Sequence, residues 1–169
     1  MNQLNYNELL AILSYSLDNT DKKRYFIALS GPPASGKSTI SKKIIQDLNS
    51  KGYQASVLQM DGFHLDDQIL KDRNLISKKG APETFDVRGL LSFLSRLQNE
   101  SEVIVPIFDR SLELSRSSAT IIPKETKVIV VEGNYLLLKS KPWNNLQKFF
   151  DVSVMISCEE KVLEKRLLD

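Results

Sequence analysis

The chain has 169 residues, of which 41% are hydrophobic and 26% are charged, as in an ordinary globular domain with its own core. Its 23 Lys and Arg residues nearly balance its 21 Asp and Glu residues, which argues against a nucleic-acid or membrane-surface partner. The one cysteine, Cys158, excludes an internal disulfide, and no membrane span or cleavable leader is recognisable in the sequence. These features predict a cytoplasmic protein.

The first half of the chain alternates between predicted helices and strands. Apolar residues at helical spacing predict a leading amphipathic helix in residues 4–17. After a polar break at residues 21–24, residues 25–29 predict a short buried strand. Residues 38–50 then predict a second helix, and residues 55–60 a second strand.

Two more strands are predicted at residues 127–131 and 151–156, both short and rich in β-branched residues. Strands that are apolar throughout are typical of a parallel sheet covered by helices on both faces. The order of strand, helix and strand favours βαβ units with right-handed crossovers. The sequence therefore predicts an α/β fold.

Residues 61–124 interrupt this alternation. They hold a predicted helix at 87–98, with Asp86 as its N-cap, and two apolar pieces at 103–105 and 119–122. We expect such an insertion, between the second and third strands of the sheet, to hold the site for a second substrate.

A phosphate-binding motif follows the first predicted strand. Residues 31–38 match the pattern G-x-x-x-x-G-K-[ST] at every fixed position, between a strand and a helix. In that setting backbone N–H groups and the helix N-terminus form a concavity that favours phosphate. Lys37 is expected to reach the β- and γ-phosphates of ATP, and Ser38 to offer its hydroxyl to Mg²⁺. A plain glycine turn is the alternative. The residues predicted to bind the nucleotide are Gly31, Pro32, Pro33, Ala34, Ser35, Gly36, Lys37, Ser38 and Thr39.

An acidic residue, Glu132, ends the third predicted strand and precedes Gly133. In P-loop proteins a carboxylate at such a position binds Mg²⁺ directly or through water. A solvated acid at a strand end is the alternative. The aspartate and the later Asn-Lys-x-Asp motif that a GTPase would need are both missing from the sequence.

A candidate for the acceptor side of the site is Asp61, which directly follows the second predicted strand. Ligands of open α/β sheets bind at the carboxyl ends of strands. Asp61 is therefore predicted to face the phosphate site, where it could orient a hydroxyl and accept its proton. An aspartate that starts a turn before Gly62 is the alternative. His64, the one histidine, is expected to form part of a pocket wall.

Two other segments each set an aromatic residue beside a carboxylate: Phe85 with Asp86, and Phe108 with Asp109 and Arg110. Such pairs can stack on a ring and accept hydroxyl hydrogen bonds. A turn and a strand end are the alternatives for these two segments.

Taken together, these motifs resemble those of the uridine kinase, phosphoribulokinase and pantothenate kinase superfamily, from about residue 25 onward. Gly-Phe-His after Asp61, Phe-Asp-Arg-Ser at residues 108–111 and Glu-Gly-Asn-Tyr-Leu-Leu at residues 132–137 most resemble bacterial nucleoside/nucleotide kinase proteins similar to fructose-transport kinases. The resemblance implies a three-layer P-loop NTPase fold with a parallel sheet in the strand order 2-3-1-4.

The same resemblance implies a role for each motif residue. Asp61 would be the base on the acceptor hydroxyl, Lys37 and Arg166 would act on the transferring phosphate, and Ser38 and Glu132 would hold Mg²⁺. The implied acceptor pocket is formed by Phe63, His64, Phe85, Asp86, Phe108, Asp109 and Arg110.

Two departures from the family pattern stand out. Uridine kinases place a base-reading histidine five residues after the aromatic of the Pro-x-aromatic-Asp motif, where this chain has Glu113, which disfavours uridine. The family also continues through a lid and a further strand. We therefore expect residues 1–169 to form a single kinase domain whose lid helix, beginning near residue 159, is cut short.

The sequence thus predicts an ATP- and Mg²⁺-dependent kinase whose partner is a small hydroxyl acceptor such as a nucleoside, a sugar or a pantothenate-like compound. Its assembly is left open, a homodimer included. One rival is a P-loop ATPase or nucleotide-binding switch, which leaves Asp61 and the Phe-Asp pairs without a purpose. The other is a truncated, non-catalytic relative.

Overall fold

The computed structural model describes residues 3–157. Cys158, Arg166 and the predicted lid helix lie outside the described residues. The helices are α1 (Tyr6–Asp18), α2 (Lys37–Ser50), α3 (Asp67–Asp72) and α4 (Val87–Asn99). The strands are β1 (Tyr25–Ser30), β2 (Ala55–Gln59), β3 (Val103–Asp109), β4 (Leu114–Ile122), β5 (Val128–Gly133) and β6 (Val152–Met155). Short 3₁₀ helices span Met60–Phe63, Ile76–Lys78, Pro82–Thr84 and Trp143–Phe149.

The central sheet has four parallel strands in the order β2-β5-β1-β6. Numbered within this sheet alone, the order is 2-3-1-4, as the sequence resemblance predicts. Ser30 pairs with Gly133, and Gln59 pairs with Glu132. The carboxyl ends of β1, β2 and β5 therefore reach the same edge of the sheet.

Helices cover both faces of this sheet and make three layers. On one face, Leu13 of α1 and Ile44 and Leu48 of α2 are buried against β1 and β5. On the other face, Leu94 of α4 and Trp143 belong to a second buried cluster. All six residues of β1 are buried, and all except Ser30 are hydrophobic, as expected for a strand that is covered on both faces.

The insertion consists of α3, α4 and an antiparallel hairpin of β3 and β4. The pairing register of the hairpin shifts between Val105 and Ile107, where Pro106 has no N–H to donate. The hairpin packs closely on the 3₁₀ turn Met60–Phe63. The backbones approach so closely at Gly62 that a Cβ atom there would lie 2.8 Å from the Pro106 carbonyl oxygen. The insertion therefore fixes the position of the turn that carries Asp61.

Arg24, at the base of β1, is buried with 4% of its surface exposed. The polar break seen in the sequence does not reveal this burial. The five N–H donors of its guanidinium bond to the backbone carbonyls of residues 97, 100, 101, 123 and 126. One side chain thus ties the end of α4 and the segment before β5 to the first strand of the sheet.

Among residues 3–157, no helix is both long enough and apolar enough to cross a membrane.

Candidate active site

The phosphate loop lies between β1 and α2, and its backbone takes the shape that its glycines permit. Gly36 has a φ of 88° and Ala34 has a φ of 59°, both in the left-handed region. A Cβ atom on Gly31 would lie 2.9 Å from Ser35 Oγ and 3.1 Å from the carbonyl oxygen of Ile156. The first N–H groups of α2 have no intrahelical partner, so this end of the helix is suited to bind an anion.

Lys37, the first residue of α2, lines the pocket at this loop. Its Nζ donates a hydrogen bond to the carbonyl oxygen of Pro32 at 2.7 Å. Burial lowers the pKa of Lys37, while the charges of Asp61 and Glu132 raise it and that of Arg110 lowers it, with a net lowering. An incoming phosphate would supply the negative charge that stabilises this ammonium group.

Glu132, near the end of β5, is buried with 7% of its surface exposed. Its Oε1 accepts hydrogen bonds from Ser38 Oγ at 3.2 Å and Gln59 Nε2 at 2.9 Å. Its Oε2 is buried and has no hydrogen-bond partner within residues 3–157. A buried carboxylate oxygen that accepts no hydrogen bond and lies beside a serine hydroxyl is suited to bind a hard cation such as Mg²⁺.

The same edge of the sheet does not form a complete metal cage. No group of three or more His, Cys, Asp or Glu side chains within residues 3–157 could hold a metal ion. Mg²⁺ is commonly bound by one or two protein oxygens together with substrate phosphates. Ser38 and Glu132 fit that kind of site.

Asp61 stands in the 3₁₀ turn that follows β2, and it lines the same pocket as Lys37 and Glu132. Its Oδ2 accepts a hydrogen bond from Arg110 Nη2 at 3.2 Å, and its side chain is 32% exposed. The Asp61 carboxylate therefore lies in the pocket of the phosphate loop, is partly exposed to solvent, and carries a charge that acts on Lys37.

His64 forms part of the wall behind Asp61. Its Nδ1 lies 2.9 Å from the Asp61 carbonyl oxygen, and its ring lies 4.0 Å from the Phe85 ring and 4.8 Å from the Phe108 ring, between centroids. Ser115 Oγ donates to the carbonyl oxygen of His64 at 3.2 Å. These contacts fix the turn that presents the Asp61 carboxylate.

The pocket has a volume of about 830 Å³, within the range of small-molecule sites. It joins the phosphate loop to three of the seven predicted acceptor residues, His64, Phe85 and Arg110. Gln59, Gly80 and Asn134 also line it, and sequence reasoning missed all three. A polar residue at the carboxyl end of a buried strand was the signal available for Gln59. The lining residues are Pro33, Ala34, Ser35, Gly36, Lys37, Ser38, Thr39, Ile40, Gln59, Asp61, His64, Gly80, Phe85, Arg110, Glu132, Gly133 and Asn134.

Four predicted acceptor residues point elsewhere. The Phe63 ring packs on Phe93, with centroids 5.4 Å apart, in the core. Asp86 caps α4 by accepting from the Gly89 N–H at 2.9 Å. The side chain of Phe108 lies behind His64.

The fourth, Asp109, closes the hairpin turn. Its carboxylate accepts from the backbone N–H and hydroxyl of Ser111, at 3.1 and 2.6 Å, and forms an ion pair with Arg116 at 3.2 Å. The hydrogen bond from the Ser111 hydroxyl is the main cause that lowers the pKa of Asp109.

A strand, phosphate loop and helix on a 2-3-1-4 sheet, with an acidic residue at a neighbouring strand end, define the class of P-loop kinases. The chain belongs to the phosphoribulokinase / uridine kinase family, whose model matches residues 26–168.

Individual relatives agree with this family. The pantothenate kinase of Ligilactobacillus salivarius (strain UCC118) is 31% identical over 152 residues, which cover 88% of this chain and 49% of that protein. The protein YggC of Escherichia coli (strain K12), named as uncharacterized, is 31% identical over 96% of this chain and 68% of its own length. The chain thus spans about half the length of the pantothenate kinases it matches.

A solved structure agrees with the fold in detail. The crystal structure of a "putative fructose transport system kinase" from Silicibacter sp. TM1040 is 38% identical to this chain, with a TM-score of 0.93. The match covers 98% of this chain and 81% of that one.

Proposed function

We propose that this protein binds Mg·ATP and transfers the γ-phosphate to a hydroxyl group of a small metabolite. The observation that carries the proposal is that Lys37, Ser38, Glu132 and Asp61 all line a single pocket. Phosphoryl transfer requires positioning and charge stabilisation more than covalent chemistry. The pocket can supply positioning and charge stabilisation to a nucleotide and to an acceptor.

Each side chain has a definite task in this reaction. The amides of the phosphate loop hold the phosphates of ATP, and Lys37 exchanges the Pro32 carbonyl oxygen for a phosphate oxygen. Mg²⁺ held by Ser38 and Glu132 would neutralise charge on the phosphates. The acceptor oxygen forms a bond to the γ-phosphorus as the bond from that phosphorus to the bridging oxygen of ADP breaks. Asp61 accepts the hydroxyl proton.

The names of the relatives bear on the acceptor. They include pantothenate kinases and a "putative fructose transport system kinase", which favours a small hydroxyl compound as the acceptor here. Glu113 stands where uridine kinases carry a base-reading histidine, and this disfavours uridine.

A P-loop ATPase or nucleotide switch is the rival function. Such a protein needs the phosphate loop and the metal site, but no pocket beyond the γ-phosphate. Here the lining of the pocket also includes Asp61, His64 and Phe85. This extra space favours a second substrate, rather than water, as the molecule that accepts the phosphate.

Calorimetric titration with a non-hydrolysable ATP analogue and Mg²⁺ tests the nucleotide half of the proposal. We expect Lys37→Ala to weaken binding by about 10-fold or more, the effect of losing a charge-assisted hydrogen bond. Lys42→Ala serves as the control, because Lys42 is exposed on the same helix and does not line the pocket. Equal affinity in all three proteins, or none in any, would contradict the proposal.

A further inference from the structure

Arg110 is the cation on the acceptor side of the pocket. Within residues 3–157, the cationic residues that line the pocket are Lys37 and Arg110, and the anionic ones are Asp61 and Glu132. Lys37 bonds to the phosphate loop through the Pro32 carbonyl oxygen, whereas Arg110 follows β3 on the hairpin turn and contacts Asp61. Lys37 thus belongs to the nucleotide, and Arg110 is available to the second substrate.

Most of the hydrogen-bonding capacity of Arg110 is unused. A guanidinium has five N–H donors, and in the described part of the chain Arg110 makes one hydrogen bond, from Nη2 to Asp61 Oδ2 at 3.2 Å. Its side chain is 76% exposed. Ion pairs with such exposure contribute little and exchange readily, so a ligand anion can replace the carboxylate as the partner of Arg110.

The proposed reaction makes this exchange useful. Asp61 must use its carboxylate to orient the acceptor hydroxyl, and it then shares or loses its contact with Arg110. A neutral acceptor has no negative charge that could replace the Asp61 carboxylate as the partner of the Arg110 guanidinium. An acceptor with its own carboxylate or phosphate offers Arg110 a bidentate partner beside the reacting hydroxyl.

We infer that Arg110 is a specificity-determining residue that binds an anionic group of the acceptor. The substrate class is then a hydroxy acid or a phosphorylated polyol, and neutral sugars and nucleosides are poor substrates. This inference rests on the proposed kinase function, and it narrows the acceptor to one kind of chemistry.

Matched acceptor pairs test the inference, since the two members of a pair differ mainly in one charged group. The pairs are glycerate with glycerol, pantothenate with pantothenyl alcohol, and fructose 6-phosphate with fructose. Binding to the protein saturated with a non-hydrolysable ATP analogue and Mg²⁺ is measured by calorimetry, and kcat/KM is measured by ADP release. We expect at least one anionic member to exceed its neutral partner by about 10- to 100-fold, the effect of one charge-assisted hydrogen bond.

Three variants assign that preference to Arg110. Arg110→Gln should abolish it while the affinity for the ATP analogue stays within about two-fold. Arg110→Lys should restore part of it, because it keeps the charge without the planar fork. Arg88→Gln, which removes a similar charge from an exposed position on α4 outside the pocket, should leave the preference unchanged.

Several results would overturn the inference. One is equal use of both members of every pair, and another is failure of every anionic compound to bind the nucleotide complex. A third is a loss of nucleotide affinity in Arg110→Gln as large as the loss for the acceptor, which would assign Arg110 to the ATP γ-phosphate. An equal fall in kcat for charged and neutral acceptors would show that Arg110 only positions Asp61. Failure of the kinase proposal itself differs from all of these, because the ATP analogue would then not bind.

Discussion

The two oxygens of the Glu132 carboxylate have different surroundings. Ser38 Oγ and Gln59 Nε2 both donate to Oε1, so Oε2 is the oxygen that stays open for a cation. Gln59 therefore positions the carboxylate. Partners of metal-binding carboxylates that are themselves not ligands commonly contribute 10- to 100-fold to metal affinity.

We predict that Gln59→Ala reduces the gain in ATP-analogue affinity that Mg²⁺ produces by about 10-fold. Affinity measured in EDTA should be unchanged, because the phosphate loop is untouched. Calorimetric titrations with and without Mg²⁺ make the comparison. Gln68→Ala is the control, because Gln68 is exposed on α3 and does not line the pocket. A Gln59→Ala protein with the normal Mg²⁺ effect would show that Gln59 has no influence on the cation.

Lys37 links the phosphate site to stability. Because burial is the main cause that lowers its pKa from the ordinary value of 10.5, the folded chain holds this proton less tightly than the unfolded chain. The charged form therefore destabilises the free protein. That destabilisation is fully present below the lowered pKa and disappears as the pH rises past 10.5.

We accordingly predict that Lys37→Met is more stable than the unchanged protein at pH 7 in the absence of nucleotide, and that this gain shrinks toward pH 11. Urea unfolding across this pH range measures it, with the exposed Lys42→Met as the matched control. ATP with Mg²⁺ should stabilise the unchanged protein and Lys42→Met, and should stabilise Lys37→Met less. A Lys37→Met protein that is less stable at pH 7, or a gain independent of pH, would contradict this prediction.

At the scale of elements, the contact between the turn Met60–Phe63 and the hairpin sets the position of Asp61. Gly62→Ala would bring its Cβ atom to 2.8 Å from the Pro106 oxygen and 3.0 Å from the Pro106 carbonyl carbon, both backbone atoms of β3. We predict a loss of about 1–3 kcal/mol in the free energy of unfolding, as in other overpacked sites, and a fall in kcat.

Gly52→Ala is the control for this prediction. It strains a left-handed backbone position, with a φ of +89°, but meets no atom within 4 Å, so it should reduce stability by about 1 kcal/mol and leave kcat unchanged. Urea unfolding and ADP release measure the two effects. Normal kcat in Gly62→Ala would show that Asp61 does not depend on the hairpin contact.

Local patterns made several elements predictable. The phosphate loop depends on consecutive residues between a strand and a helix, so its place could be predicted from Gly31 to Ser38 alone. The same holds for Asp86, which was predicted as the N-cap of a helix and caps α4. The predicted bounds of α1, α2, α4 and the four sheet strands differ from the observed ones by two residues or fewer, since hydrophobic periodicity is a local signal. The apolar pieces predicted at 103–105 and 119–122 fall four and five residues short of the hairpin strands Val103–Asp109 and Leu114–Ile122.

Contacts between distant segments could not be predicted in this way. Which side chains reach the pocket depends on the packing of the insertion against the sheet. Phe63 and Phe85 both belong to the buried core cluster, and of the two Phe85 alone also lines the pocket. Gln59 matters because β2 pairs with β5 beside Glu132. The sequence marks Gln59 as a polar residue at a strand end, but nothing around it shows that it lies beside Glu132.

At the scale of the whole molecule, one side chain, Arg24, joins the insertion to the sheet at the end opposite the pocket. It bonds to carbonyl groups after the end of α4, in the middle of the inserted segment, at residues 97–101, and to others where that segment leads into β5, at residues 123–126. Near the pocket, the close approach of Gly62 to Pro106 joins the hairpin to the turn that follows β2. The hairpin that carries Arg110 is therefore held at the pocket end, and the end of α4 is held at the opposite end of the sheet.

The transfer of labelled phosphate tests the central claim most directly. The protein is incubated with γ-labelled ATP, Mg²⁺ and a panel of hydroxy acids, sugar phosphates, sugars and nucleosides, and the label is followed into each product. The account predicts label on a small acceptor. It also predicts that Asp61→Asn slows this transfer by about 10²-fold or more and leaves the affinity for the ATP analogue unchanged. Label that appears in inorganic phosphate alone, whatever acceptor is present, or an Asp61→Asn protein with most of its transfer rate, would contradict it.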